Sequence, residues 1–409
     1  MNKSILVSAY GCEPLKGSEP GVGWNWVLQL AQQNKLYVIT RANNKAVIEE
    51  YLPTSIRHNI TFYYYDTPLF LRQFKNKAKG LYFYYFFWQI GIVSIAKKII
   101  RNNHVDYTMH LTFGSMWMPT FLPFLSPSFI WGPIGGGDGE PRSFLKLLSP
   151  RQRFIQSFRY VMNKTAIVNP SILIPAFKAK VILCRTENSA NVIPKRFRSK
   201  VKIILETAME GDVFKYTKKE RLDNKIRMIS TGRLLPSKNI ITAIRALKFL
   251  PEHLDFEYYI VGSGSQKQSI IKEIKALGLN NKVLIIDELP RNKVLDFLQY
   301  SDVFIFPSLR EGGSWALMEA MAIGLPVICL NWAGMRIITD DKCAVRLPVT
   351  SPEQMPKDMA KAIVQLIENS DQCRRMGENA RRRIQTVFNW GAKGKFMEDL
   401  FAELDKNEH

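Results

Sequence analysis

Apolar residues recur along the chain with two different spacings. Short apolar runs predict β-strands at residues 5–9, 36–40, 60–65, 129–131 and 181–184, and again at 227–231, 257–261, 283–286, 303–306, 326–330 and 344–347. Between them, apolar residues at intervals of three and four predict amphipathic helices, for example Ile240, Ile244, Leu247 and Leu250. Strands that alternate with helices are typical of parallel sheets covered by helices on both faces.

The alternation occurs in two series, separated by a polar stretch at residues 206–224. We therefore predict an α/β fold with two Rossmann-like, doubly wound parallel-sheet domains that face a cleft. The first domain is predicted over residues 1–205 and the second over 206–387. An aromatic break at residues 388–390 precedes a last helix, which we expect to cross back and complete the first domain with residues 388–409. Ligands of such sheets bind beyond the carboxyl ends of the strands.

Composition and charge narrow the function classes. With 46% hydrophobic and 23% charged residues, the chain of 409 residues is not a disordered or low-complexity protein. Residues 1–205 hold 27 basic and 9 acidic side chains and so carry most of the net charge of +21. Such a field attracts nucleic acid, acidic lipid or phosphorylated substrates. Five scattered cysteines indicate a reducing compartment, and we expect neither a signal peptide nor a membrane-spanning segment.

Two motifs that follow predicted strands carry groups suited to a phosphate. In the run 231–238, Gly232 permits a sharp turn, while Arg233 and Lys238 supply cations just before a helix whose N-terminus favours anions. The alternative is a loop with two solvated cations. In the second motif, Gly262 and Gly264 permit a close approach of a ligand to the backbone, but taken alone this motif is weak and a turn of no special function is the favoured alternative.

A third motif follows the predicted strand 303–306. Glu311 comes first, and Gly312, Gly313 and Ser314 then open a helix whose free amides suit a phosphate or sugar hydroxyls. Glu319 lies two turns into that helix, where it could accept two hydrogen bonds from a ribose diol. The alternative for Glu319 is a carboxylate in a surface salt bridge.

Together these motifs, in this order and spacing, resemble the retaining GT-B glycosyltransferases of family 4. The resemblance implies that Arg233 and Lys238 bind the diphosphate of a nucleotide-sugar, together with the turn at Gly232 and the glycines Gly262 and Gly264. It also implies that Glu311 and the amides of Gly312, Gly313 and Ser314 contact the donor sugar, that Glu319 binds the ribose, and that Glu288 and Leu289 hold the base. Gly313 stands where an aromatic residue is frequent in that family, which leaves the donor sugar open.

The first half of the sequence resembles the same family at two places. Residues 17–24 resemble its glycine-rich loop, so Gly21 and Gly23 are expected near the donor phosphate and the acceptor; an ordinary strand–helix turn is the alternative. His110 is predicted to end a strand at the cleft and resembles the histidine that touches the reacting sugar. The alternative for His110 is a core histidine.

The implied activity is transfer of a sugar from a nucleoside-diphosphate-sugar, such as a UDP- or GDP-sugar, to an acceptor hydroxyl with retention. His110, Glu311, Arg233 and Lys238 are the expected catalytic residues. A glycan or lipid-linked glycan of bacterial cell-surface polysaccharide assembly is the expected acceptor. No cofactor beyond the donor is implied. Metal independence is expected, because the histidines are dispersed and no metal-ligand cluster is apparent. Since no nucleophilic carboxylate is evident, the leaving phosphate is expected to take the acceptor proton.

The basic first half leads to a hypothesis of peripheral attachment to an anionic membrane, on the cytoplasmic face. Residues 69–79 mix aromatic and basic side chains, and Phe154, Ile155, Phe158, Val161 and Met162 form one face of a predicted basic helix. A core-packing face is the alternative. Nucleic acid is not an expected partner, because no nucleic-acid-binding signature is present. A nucleotide-sugar epimerase or hydrolase of the same fold and an inactive nucleotide-binding scaffold are the other candidate functions.

Overall fold

The computed structural model describes residues 3–72, 80–125, 128–223 and 225–406. The chain divides into two compact units. The first comprises Met1–Gly137, Met162–Glu206 and Trp390–His409, and the second comprises Asp138–Val161 and Thr207–Asn389. Each unit contains a parallel β-sheet with surrounding helices.

The first unit contains a seven-stranded sheet in the order β3-β2-β1-β4-β5-β6-β7, and all of its paired strands are parallel. Its strands are β1 (Ser4–Ala9), β2 (Lys35–Arg41), β3 (Ile60–Tyr65), β4 (Tyr107–Thr112), β5 (Phe129–Ile134), β6 (Ala179–Cys184) and β7 (Val201–Ile203). In the central strands every residue except Ser4 is buried, as expected for a parallel sheet that is covered on both faces.

Helices surround this sheet. They are α1 (Ser18–Leu30), α2 (Lys45–Tyr51), α3 (Thr54–Arg57), α4 (Leu69–Arg72), α5 (Gly80–Asn102), α7 (Pro170–Lys178), α8 (Glu187–Val192) and α16 (Trp390–Lys406). Helix α6 (Pro150–Thr165) belongs to the second unit as far as Val161. Short 3₁₀ helices lie at Leu122–Phe124 and Lys195–Lys200. Within the described ranges, no helix is both long and apolar enough to cross a membrane.

The second unit contains a six-stranded parallel sheet in the order β10-β9-β8-β11-β12-β13. Its strands are β8 (Ile226–Thr231), β9 (Phe256–Val261), β10 (Val283–Ile286), β11 (Val303–Phe306), β12 (Val327–Leu330) and β13 (Ala344–Leu347). Its helices are α9 (Ile240–Leu247), α10 (Lys267–Ala276), α11 (Arg291–Gln299), α12 (Trp315–Ile323), α13 (Ala333–Ile338), α14 (Met355–Glu368) and α15 (Ser370–Val387). The predicted pair of doubly wound parallel sheets is confirmed.

The last helix belongs to the first unit, as predicted. Helix α16 packs against α1, where the rings of Trp26 and Trp390 meet edge to face with their centres 6.5 Å apart. At its other end, Lys3 Nζ lies 2.8 Å from the carboxylate of Asp405. An aromatic contact and an ion pair therefore fix the end of the chain to the first unit.

Residues 138–161 belong to the second unit rather than to the first domain, in which the prediction placed them. The Trp332 indole N–H donates to the Gly139 carbonyl at 3.1 Å, and Ser143 Oγ donates to the Thr350 carbonyl at 2.9 Å. These contacts hold the segment against the loops at the ends of β12 and β13. Sequence periodicity could not reveal this placement, because it depends on long-range contacts of a stretch with no strand of its own.

Candidate functional site

The turn between β8 and α9 carries both predicted cations. Gly232 has a φ of +127°, which only glycine adopts without strain. Arg233 is exposed, and among the described residues no carboxylate pairs with it. Lys238 ends a 3₁₀ turn, and Asn239 then takes a left-handed conformation (φ 56°) before α9 begins. The turn thus presents a guanidinium and an ammonium ahead of a helix N-terminus, as the sequence predicted.

The glycines after β9 have a packing role. A Cβ on Gly262, which has a φ of +143°, would lie 2.0 Å from the carbonyl oxygen of Gly232. A Cβ on Gly264 would lie 2.4 Å from the carbonyl oxygen of Leu234. Both glycines therefore let the cation-bearing turn lie against the β9 turn, whereas their predicted role was a close approach to a ligand.

An ion pair joins the first and third motifs. Lys238 Nζ hydrogen-bonds to Glu311 Oε1, which also accepts a hydrogen bond from Ser308 Oγ at 3.1 Å. Lys238 Nζ lies 5.3 Å from the centre of the Phe306 ring. The two charged side chains are only 17% and 16% exposed, so the pair is partly shielded from water. Two groups predicted to bind different parts of one ligand are thus in direct contact.

The loop from Glu311 to Ser314 is held tightly before α12. The Gly334 N–H donates to the Glu311 carbonyl at 2.9 Å, and the Ser314 side chain caps α12 by accepting from the Leu317 N–H at 3.4 Å. A Cβ at residue 313 would lie 1.8 Å from Thr207 Oγ1. A side chain at residue 313 would therefore have to displace the Thr207 side chain.

Glu319 is buried and paired. Its Oε1 lies 2.5 Å from Arg291 Nε, and Arg291 Nη1 lies 2.6 Å from Asp212 Oδ2. Burial raises the pKa of Glu319, while the bonded Arg291 opposes that shift. The salt-bridge alternative is thus present, but in a buried form. The Arg291–Glu319 pair also ties the start of α11, which directly follows the loop at Glu288 and Leu289, to α12.

Sequence reasoning missed five residues of this site, because their roles depend on contacts distant in sequence. They are Arg291, Asp212, Ser308, Thr207 and Gly334. For Arg291 a signal existed: it is a cation two residues after the predicted base-binding residue Leu289.

Arg233 and Lys238 share one small cavity. With Gly232 and Phe306 they line a space of about 10 Å³, room for at most one water molecule. Glu319 does not line this cavity. The cavity itself is therefore too small for a diphosphate.

His110 does not end its strand, contrary to the prediction. β4 continues for two further residues, and register with Ser8 and Trp131 places His110 between two strands. It is 1% exposed, its Nε2 lies 3.3 Å from the Phe113 carbonyl, and its Nδ1 has no hydrogen-bond partner among the described residues. Burial lowers the pKa of His110 to about 4, although the Phe113 carbonyl acts in the opposite direction. The imidazole is therefore neutral at pH 7.

Gly21 and Gly23 lie in a helix rather than in the predicted loop, since α1 already begins at Ser18. A Cβ on Gly23 would lie 1.9 Å from the Gly11 carbonyl oxygen and 2.8 Å from Thr112 Cγ2. The helix tolerates this glycine because it lets α1 approach the backbone after β1. Gly21, Gly23 and His110 belong to the first unit, and all other predicted site residues belong to the second.

Within the described parts of the chain, no three His, Cys, Asp or Glu side chains are grouped so as to hold a metal ion.

Comparison with known proteins finds a family match within the second unit. Residues 212–383 match the family "Glycosyl transferases group 1". Over 208 residues the chain is 27% identical to the amylovoran biosynthesis glycosyltransferase AmsK of Erwinia amylovora, covering 49% of this chain and 50% of that protein. It is 28% identical to the UDP-Gal:alpha-D-GlcNAc-diphosphoundecaprenol alpha-1,3-galactosyltransferase of Escherichia coli, covering 45% and 47%. The matches thus span about half the length of these relatives.

Similarity in three dimensions extends over nearly the whole chain. The crystal structure of Anabaena HepE in complex with UDP has a TM-score of 0.63 and 14% identity, covering 98% of this chain and 100% of that chain. At this identity the similarity shows the fold alone. The chain therefore has the GT-B fold, and its residues 212–383 are similar to the group 1 glycosyl transferases.

Proposed function

We propose that the chain transfers a sugar, with retention, from a nucleoside-diphosphate-sugar to a hydroxyl of a lipid-linked glycan during assembly of a bacterial cell-surface polysaccharide. The observation that carries the proposal is the contact of Lys238 with Glu311 beside the amides that open α12. Two strand-end loops there supply a cation, a carboxylate and a helix N-terminus. These are the groups needed by the two halves of a sugar diphosphate.

The ion pair suggests how the donor is bound. A diphosphate carries more negative charge than one carboxylate, so it competes with Glu311 for Lys238. Arg233 adds a planar guanidinium that can bind phosphate in two places. Once released, the Glu311 carboxylate can accept hydrogen bonds from sugar hydroxyls. Donor binding would thus exchange an internal ion pair for two interactions with substrate.

In the reaction, the bond between the anomeric carbon and the diphosphate breaks while the acceptor oxygen bonds to that carbon on the same face. The acceptor proton passes to the leaving phosphate. Arg233, Lys238 and the α12 amides stabilise the charge that develops on the diphosphate. We expect no loss of activity with EDTA, since these cations take the charge-balancing role.

UDP-sugars are the first donors to test, because the compared relative is named for UDP-Gal and the compared structure holds UDP. The name of the same relative includes a diphosphoundecaprenol-linked acceptor. We propose an acceptor of that chemical class here, and with it a peripheral location on the inner face of the cytoplasmic membrane.

Helix α6 supports the membrane location. Its apolar stripe is turned outwards, with Phe154 72%, Phe158 56% and Val161 58% exposed. Its buried side chain is a glutamine: Gln156 donates to Glu140 at 3.0 Å. This orientation contradicts the core-packing alternative. A basic helix with an outward apolar face is typical of interfacial anchors.

The second predicted membrane segment is only partly described. In α4, Phe70 is 67% exposed and Leu69 is 78% exposed, while Leu71 is buried. Residues 73–79, which include Phe74 and three lysines, lie outside the described residues.

We expect the double variant Phe154→Ser/Phe158→Ser to bind anionic vesicles at least about tenfold more weakly, because burial of each phenylalanine contributes about 1.5–3 kcal/mol. Both rings are exposed, so folding should be unaffected. Flotation with phosphatidylglycerol vesicles measures the effect, and Phe249→Ser, at an exposed site of the second unit, is the control. Equal flotation of the variant and the wild type would remove α6 from the proposed attachment.

We expect Glu319→Gln to weaken UDP binding about tenfold, since hydrogen bonds to a charged group contribute about 1.5–3 kcal/mol. The amide keeps the shape of the side chain but loses its charge. Calorimetric titration with UDP measures this, with the exposed Glu368→Gln as the matched control. If both variants bind UDP like the wild type, Glu319 has no role in the ribose contact.

The activity itself is tested with a panel of UDP- and GDP-sugars, each with and without an undecaprenyl-diphosphate-linked sugar. A transferase forms a longer lipid-linked glycan with retained anomeric configuration, and its donor turnover rises with acceptor. Turnover that is independent of acceptor would instead support the epimerase or hydrolase.

A further inference from the structure

A large apolar groove lies in the first unit and is lined by none of the residues assigned above to the donor site. It has a volume of about 580 Å³ and is formed by the Leu122–Phe124 turn, α7 and the Lys195–Lys200 helix. Its lining consists of Phe124, Leu173, Ile174, Phe177 and Phe197 together with Lys178 and Arg196. Pockets that hold small organic ligands have volumes of roughly 300–1,000 Å³, so the groove is large enough for one.

The walls of the groove are open to solvent. Phe124 is 59% exposed and Phe177 is 66% exposed, although both are large aromatic residues. The floor is formed by the buried Phe197, whose ring centre lies 6.5 Å from that of Phe177. An exposed aromatic cluster with an ordered floor marks a contact surface rather than a chance exposure.

The groove continues an apolar surface that begins on α5. Tyr82, Phe86 and Ile90 recur at four-residue intervals on that helix and are 55%, 39% and 45% exposed. The ring of Phe86 meets that of Phe121 with centres 6.1 Å apart, and Phe121 immediately precedes the turn that carries Phe124. The apolar surface is therefore wider than a single ligand pocket, and the groove forms one end of it.

Cations border the groove. Lys178 and Arg196 line it, and among the described residues no carboxylate pairs with either. Lys200 Nζ donates to the Phe177 carbonyl at 2.7 Å, which places a third positive charge at the end of α7. In the sequence, Glu187 is the one acidic residue between positions 141 and 205. Like charges on this face oppose a second copy of the chain, whereas an anionic partner complements it.

We propose that this groove binds one acyl chain of an anionic phospholipid from the bilayer, with the lipid phosphate held by Lys178 and Arg196. Leu173 and Ile174 add aliphatic surface that suits a hydrocarbon chain. The proposal rests on the membrane attachment put forward under the proposed function and names the lipid class and its site. It does not depend on α6.

Dihexanoylphosphatidylglycerol below its critical micelle concentration tests the groove as a site for a single lipid. We expect saturable binding to the whole chain by calorimetry, with dihexanoylphosphatidylcholine binding more weakly. Phe177→Ser and the double variant Lys178→Gln/Arg196→Gln are each expected to weaken binding by roughly tenfold or more. Phe249→Ser and Lys98→Gln, at exposed sites elsewhere, are the matched controls and should bind as the wild type does.

Each result bears on the proposal. Absence of saturable binding to the wild type, or equal binding to Phe177→Ser, would overturn it. Equal competition by glycerol 3-phosphate, which has no acyl chain, would also overturn it, because the cations would then bind any phosphate. The Phe154→Ser/Phe158→Ser variant should float less with vesicles but keep its binding of monomeric lipid. For Phe177→Ser, the loss is expected in the binding of monomeric lipid. Failure of sugar transfer with intact lipid binding would refute the enzyme proposal alone.

Discussion

Replacing Lys238 by alanine is expected to lower kcat by about 10²–10³, the cost of removing one preorganised donor from a developing anion. The ammonium lies at the junction of the β8–α9 and β11–α12 loops, and it is the group that can compensate a departing diphosphate. Glu311 should keep its hydrogen bond from Ser308 after the change, so the loop should stay in place. Initial rates with saturating donor measure the effect.

The matched control is Lys248→Ala, which removes an exposed cation just after α9 in the same unit. Net charge changes equally in both variants, so a general electrostatic effect would lower both rates. We expect a lower kcat for Lys238→Ala and an unchanged kcat for Lys248→Ala. Similar kcat values for Lys238→Ala and the wild type would show that the leaving group is stabilised elsewhere.

Replacing Gly262 by alanine is expected to destabilise the second unit by about 3 kcal/mol or more. Two costs combine: a φ of +143° strains any L side chain, and the new Cβ would lie 2.0 Å from a backbone oxygen. Neither the backbone strain nor the steric clash can be relieved unless the turns after β8 and β9 move apart. The melting temperature should fall by roughly 6–12 °C, since about 2–4 °C is lost per kcal/mol in units of this size.

Gly211→Ala provides the comparison. No atom lies within 4 Å of a Cβ at that position, and its φ is outside the left-handed range. Alanine there should leave the melting temperature unchanged or raise it slightly, because it restricts the unfolded chain. Thermal unfolding followed by circular dichroism distinguishes the two variants. A Gly262→Ala protein as stable as Gly211→Ala would mean that the two turns do not pack as described.

The sheets could be predicted well because buried parallel strands are nearly continuous apolar runs between turns. The bounds Val283–Ile286, Val303–Phe306 and Ala344–Leu347 are those the sequence predicts. β7 was missed, since its three residues include a lysine and offer no apolar run. The short strand is defined by its register with β6 rather than by its own pattern.

The direction in which an apolar stripe faces, and the element that packs against it, were harder to predict than the periodicity of the helices and strands. The spacing of Phe154 and Phe158 identified an apolar stripe but not that it faces solvent, because a stripe does not specify what covers it. Gly21 and Gly23 suggested a loop, yet both lie in α1, where the close contact of Gly23 with Gly11 favours a glycine within the helix.

The cationic turn and the Glu311 loop were predicted from local signals, a glycine or charge at a strand end. The pairing of Glu319 with Arg291 joins residues 28 positions apart in sequence. Residue types alone could not select that partner from the other cations of the chain. The pairing of Lys238 with Glu311 was likewise unpredicted, although each residue was assigned to the site.

The central claim is that Arg233 and Lys238 hold the diphosphate of the donor. Calorimetric titration of UDP and UMP into the wild type, Arg233→Ala and Lys238→Ala tests it most directly, because the two nucleotides differ by the phosphate these cations should bind. The account predicts that the wild type prefers UDP over UMP and that each variant loses most of this preference while its affinity for UMP changes little. Variants that retain the full wild-type preference for UDP would contradict it.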